Sequence, residues 1–172
     1  VSRLAVGDPN ATPSETTYQV TRWVSQTDHV EGAPYGTRGG LSVAHTFPAD
    51  GEYVFRVSFH HETTGALFGN APGTLHTTES PEQVEISVDG ERAALLDIPR
   101  WMHVSDPDGV NIWTDPIRVE AGPHRVAAGF VRRLEGPVQD VISPHAWSMA
   151  STSIADAYGF TSLPHLRDLA IR

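Results

Sequence analysis

Alternation with a period of two residues governs this chain. In "EYVFRVSF", Tyr53, Phe55, Val57 and Phe59 fall on one side of an extended backbone, and Val54, Arg56 and Ser58 on the other. In "EQVEISVDGERAALLDI", Val84, Ile86 and Val88 oppose Gln83, Glu85 and Ser87. "PIRVEAGPHRVAAGFVRR" repeats the plan, with Val126, Ala128 and Phe130 on the apolar side. Successive side chains of a strand point to opposite faces, so each segment gains one apolar and one wet side. Asp89-Gly90 supplies the positive-φ pair that a tight hairpin favours. With "YQVTRWV", "GLSVAHTF" and the closing "LRDLAIR", about eight strands are predicted. Strands of this kind bury their apolar sides by stacking two antiparallel sheets face to face. The expected fold is therefore all-β: an antiparallel β-sandwich of the jelly-roll type, with long edge loops. The stretch "TRGGLSVAHTFPADGEYVFRV" belongs to that scaffold and holds no nucleophile, cofactor loop or metal motif.

At 172 residues the chain reads as one domain, long enough to bury about two-thirds of the surface its unfolded form exposes. Twelve basic against 21 acidic residues give a net charge of -9, which repels phosphate backbones and argues against nucleic acid as a partner. The absence of cysteine removes disulfides, thiolate zinc sites and a cysteine nucleophile together. No run approaches the ~18 apolar residues of a membrane span, so no membrane insertion is expected. "VSRLAVGDPNATPSE" lacks the plan of a signal peptide, and the chain reads as a segment of a larger protein.

Function is sought in the loops, which a rigid scaffold positions. Residues 60–82 and 133–165 are long for hairpin connections, and "SPHAWSMASTSIADAYG" has room for a helical turn. Asp106, Asp108, Asn111 and Asp115 lie close together around Gly109, and Asp28 and Glu31 share the loop "SQTDHVEG". Such carboxylates either hold calcium, which takes six to eight oxygens, or are solvated loop residues with Asx-turn roles. The EF-hand pattern is rejected, because the third early ligand and the closing Glu are missing. Asp168 alternates with apolar neighbours and must meet either a metal or an arginine, with Arg22, Arg38 and Arg56 as candidates. Nine histidines are many for this length, yet no HExxH or H-x-H pattern joins them, and His60 and His61 point to opposite faces. His124 reads as a structural hydrogen-bonding residue. Trp23 lies inside the first strand pattern and is expected in the core. Trp101, Trp113 and Trp147 lie outside the clearest strands and are either packing residues or platforms for sugar rings.

The succession "GTRGGLSVAHTF", "PADGEYVFRV", "EQVEISVDGER", "IRVEAGPHRVAAGFV" and "LPHLRDLAI" resembles the jelly-roll domain of large planctomycete-type bacterial proteins. Those proteins join a c-type cytochrome segment to several further domains. "QTDHVEGAPYGTRGG" and "DGEYVFRV" are the most specific parts of the likeness. The domain is similar to calcium-dependent xylan-binding modules. The resemblance implies a periplasmic or extracellular location and a polysaccharide or oligosaccharide ligand, with calcium as cofactor. It places Asp168 where a last-strand calcium ligand stands, whereas "TTYQVTR" lacks the Glu pair of the first strand.

Enzyme readings find no support. No G-x-S-x-G elbow surrounds Ser143, Ser148 or Ser151, and "GTRGG" follows a loop rather than opening a helix. Its glycines instead let the chain enter a sheet at a tight angle. The expectation is a non-catalytic carbohydrate-binding module. Asp28, His29, Glu31 and Arg38 would make polar contacts, Trp101 and Trp113 would serve as ring platforms, and Asp106, Asp108 and Asp168 are the metal candidates. The alternative is a structural or docking domain meeting neighbouring domains of a multidomain redox protein.

Overall fold

The computed structural model describes residues 14–61, 65–67, 82–99, 101–132, 145–147, 160–162 and 164–172. Within them the chain forms strands and no helix. One sheet is ordered β1 (Thr16–Gln19), β12 (His165–Ile171), β4 (Phe55–His60) and β7 (Asn111–Trp113). The other is ordered β2 (Thr37–Phe47), β9 (Gly122–Val131), β5 (Glu82–Val88) and β6 (Glu91–Ile98). Every pairing in both is antiparallel. Two further short pairs form: β3 (Gly51–Tyr53) runs antiparallel to β8 (Ile117–Val119), and β10 (His145–Trp147) parallel to β11 (Phe160–Ser162). Since His145–Trp147 is strand, the helical turn expected nearby does not include it; the rest of that stretch lies outside the described residues.

The apolar rows read from the alternation are the rows that meet. Phe55, Val57 and Phe59 of β4 and Leu166, Leu169 and Ile171 of β12 share one core with Val84 and Ile86 of β5 and Val126, Ala128 and Phe130 of β9. Ring contacts cross between the sheets, Phe59 to Phe130 at 6.1 Å and Phe47 to Phe55 at 6.5 Å. The all-β sandwich is thus the architecture observed. Its central strands depart from a simple dry-in, wet-out plan, because Ser58 and Glu85 on the outer faces are buried as well. Each is satisfied by a neighbour: Ser58 Oγ donates to Asn111 Oδ1 at 2.6 Å, and Glu85 Oε2 accepts from Arg92 Nε at 2.8 Å.

Two turn readings acquire their physical cause. Asp89 and Gly90 both adopt positive φ, 53° and 85°. The Asp89 carboxylate locks that turn by accepting from the Arg125 N–H at 2.8 Å and meeting His124 Nδ1 at 2.6 Å. These bonds, the Arg125 one first, hold its carboxyl below the usual range, and His124 has the structural role expected of it. At "GTRGG", Gly39 and Gly40 have φ of 56° and 77°, at a shift of register between Arg38 and Leu41. That bulge brings the chain from the long β1–β2 connection into the second sheet.

Candidate functional site

The connection from Val20 to Gly36 has no strand of its own, yet both flanks hold it in place. At its start the Val20 N–H donates to Arg167 O at 2.8 Å, while His60 Nε2 and His165 Nε2 reach the carbonyls of Val20 and Thr21, each at 3.1 Å. In its middle Gln26 is wholly buried. Gln26 Oε1 accepts from the Gly40 N–H at 2.9 Å and the Leu166 N–H at 3.3 Å, so one side chain ties the loop to both sheets. Arg38 Nη1 donates to Gln26 O at 3.1 Å, and Arg132 Nη2 to Thr27 O at 3.1 Å. At its end the Gly39 N–H donates to Asp28 O at 2.7 Å, and Thr37 Oγ1 to Pro34 O at 2.6 Å. The loop's buried polar groups are paired, as a rigid surface loop requires.

On this fixed frame the rings point to water. Trp23 is 76 % exposed and Tyr35 94 %. Trp23 is not a core residue, a correction to the sequence reading. Alternation places it with Thr17 and Gln19 on the wet side, and strand pairing stops at Gln19. The Tyr35 ring stacks on His29 with centroids 5.3 Å apart and planes inclined by 10°. His29 Nε2 donates to Ala33 O at 3.1 Å, which fixes the lower ring of the stack. Asp28 and Glu31 are exposed on the same loop. Leaving a large ring in water forgoes about 1.5–3 kcal/mol of burial. Trp23 and Tyr35 are thus two large rings held exposed on one anchored loop.

The remaining expected residues are distributed differently. Arg38 is buried, bonded to Glu82 Oε2 at 2.7 Å and lying 5.0 Å from the centre of the Phe130 ring. It therefore builds the loop rather than presenting a group to a ligand. Trp101 is 73 % exposed, on the turn that leads into the Asp106 stretch. Asp106 Oδ2 accepts the His103 N–H at 2.7 Å, three residues back, and Asp106 O accepts the Gly109 N–H at 2.9 Å in a backbone turn, so the carboxylate braces its loop but not as an Asx-turn. Asp108 is exposed, and its carbonyl accepts from Asn111 Nδ2. Asp168 meets arginines, Arg167 Nε at 2.9 Å and Arg56 Nη2 at 3.4 Å. Calcium needs several oxygens converging on one point. Among the described residues no three His, Asp or Glu side chains gather in that way. Among the described residues Asp106, Asp108 and Asp168 do not gather at one point.

At the loop's root, the lowered affinity of His60 for a proton should make stability depend on pH. His60 and His165 stand edge to face at 5.0 Å. Burial holds His60 below the usual imidazole range against the pull of the Val20 carbonyl, and His165, Arg22 and Arg167 push the same way as burial. Burial lowers His45 too. The unfolded chain takes up these protons near pH ~6.5 and the folded chain resists them, so the unfolded state binds more protons below that pH. Melting temperature should fall as pH drops from about 7.5 to 5.5. His60→Gln, whose amide still donates to Val20 O, should fall less steeply; equal slopes would place the effect elsewhere.

Among the described residues no helix is long and apolar enough to cross a membrane. Comparison with protein-family models, with curated proteins and with solved structures finds no match to this chain.

Proposed function

We propose that this domain recognises carbohydrate without transforming it, through the Val20–Gly36 loop. The observation that carries the reading is the pairing of rigid anchorage with exposed rings beside Asp28 and Glu31. Pyranose rings offer C–H faces to the electron-rich face of an aromatic ring. Their hydroxyls donate to carboxylates. The Tyr35–His29 stack and Trp23 supply the first kind of contact, Asp28 and Glu31 the second. A shallow exposed site gains little beyond its association cost, so affinity should lie roughly between micromolar and millimolar.

The test is titration of the domain with a polysaccharide panel that includes xylan, with and without chelator. Trp23→Ala and Tyr35→Ala should each weaken binding at least about tenfold, ~1.4 kcal/mol, with melting temperature unchanged. Binding that vanishes with chelator would return calcium to the site. Silence across the whole panel would remove the carbohydrate reading.

A second reading, docking against neighbouring domains of a larger redox protein, draws on the adjacent exposed pair Trp23 and Val24. It requires these side chains to be covered when the flanking domains are present. Unchanged acrylamide quenching of Trp23 fluorescence in the longer chain would count against it.

A further inference from the structure

The outer face of the first sheet carries side chains for which the loop has no use. Strand register lays them in two rows: Thr17, Ala170, Arg56 and Trp113 across β1, β12, β4 and β7, then Gln19, Asp168, Ser58 and Asn111. Trp113 is 41 % exposed, and the Arg56 guanidinium lies 5.5 Å from its ring centre. Arg56 Nη2 divides itself between Asp168 and Glu15, both at 3.4 Å, the long end of hydrogen bonding. Arg56 Nε is buried and has no partner among the described residues. Arg56 is therefore placed firmly but engaged weakly. On the far side of Asp168, Arg167 Nε closes at 2.9 Å.

Charge identifies the ligand. Arg56 and Arg167 offset Asp168 and Glu15, so an ion gains no net attraction there. Trp113 also borders an open cleft of about 500 Å³ with Val54, Glu52 and Arg172, where the charges balance again. An aromatic face ringed by donors and acceptors of zero net charge fits an uncharged, polyhydroxylated ring.

We infer that Trp113 and Arg56 form a second binding site on this sheet face, one that takes a neutral pyranose of a glycan chain. The sugar's C–H face packs on the exposed part of the indole, and its hydroxyls accept from the guanidinium of Arg56, whose side chain is 24 % exposed. Asp168 holds the guanidinium in place as a positioning residue. The inference rests on the carbohydrate reading but not on the loop.

Calorimetric titration with neutral β-1,4-linked xylo-, gluco- and manno-hexaoses tests it. The intact chain should bind two equivalents, and Trp23→Ala/Tyr35→Ala and Trp113→Ala one each. In the loop variant, Arg56→Lys should weaken the remaining site at least about tenfold. Its affinity should change less than about twofold between about 50 and 500 mM NaCl, since no net charge is neutralised. Trp113→Phe retains the packing, so weakened binding with an unchanged melting curve supports a direct role. If the loop variant binds nothing while the intact chain binds, the sheet site is overturned and the carbohydrate reading stands. A tenfold loss of affinity in salt overturns the neutral ligand. Silence of the intact chain removes both.

Discussion

Gln26→Leu should lower the melting temperature by roughly 5–20 °C and abolish ligand binding by the Val20–Gly36 loop. The side chain is wholly buried, and its one oxygen serves the Gly40 and Leu166 N–H groups. Leucine fills much of the volume but leaves both donors without an acceptor. Each unsatisfied buried donor costs about 1–3 kcal/mol, and a domain of this size loses about 2–4 °C per kcal/mol. Because the same oxygen joins the loop to both sheets, its loss also releases Trp23 and Tyr35 from their fixed positions. Thermal melts followed by glycan titration check both parts. A variant with unaltered melting and binding would show that the anchoring contributes nothing.

Gly40→Ala should be at least as severe. A β-carbon at Gly40 would stand 1.8 Å from the Ala128 carbonyl oxygen and 2.8 Å from its carbon, at a φ of 77°. The obstacle is backbone of the adjacent strand β9, so no side chain can swing aside. Either β2 and β9 part or the bulge unwinds, and the Gln26 bond goes with it. The expected cost exceeds about 4 kcal/mol, in the range reserved for broken architecture, and lowers melting by more than about 10 °C. Gly90→Ala is the internal comparison. Gly90 also has positive φ, 85°, but nothing stands within 4 Å of its added carbon. That change should cost only the left-handed penalty of about 1–2 kcal/mol. Equal melting temperatures for the two variants would contradict the close approach at Gly40.

The contrast marks what the sequence made legible. Alternation identified Phe55, Val57, Phe59, Val84, Ile86 and Val126 as one buried set, because burial on one face imprints a period on the chain. The Asp89-Gly90 turn was legible for the same local reason. Asp168 was resolvable to a metal or an arginine by the cost of an unpaired buried charge, and Arg56 was among the candidates. Gln26 was not legible. It has no periodic signature, and its partners lie 14 and 140 residues away. Trp23 was misread because hydrophobicity was weighed above the parity of its position. Arg56 and Ser58 were assigned to the outer face, but their meeting with Trp113 and Asn111 depends on a register spanning more than 50 residues. Side-chain chemistry was readable along the chain; its convergence required the pairing of strands distant in sequence.

The position of β12 between β1 and β4 has a consequence for how the molecule comes into being. The seven residues His165–Ile171, the last strand of this chain to leave a ribosome, are the middle of the first sheet rather than its edge. Until they emerge, Thr16–Gln19 has no partner in that sheet and β4 shows an open flank. The first layer therefore closes late, when His165–Ile171 pairs with both Thr16–Gln19 and Phe55–His60. Such distant closure is slow and leaves unpaired flanks open to wrong partners in the meantime.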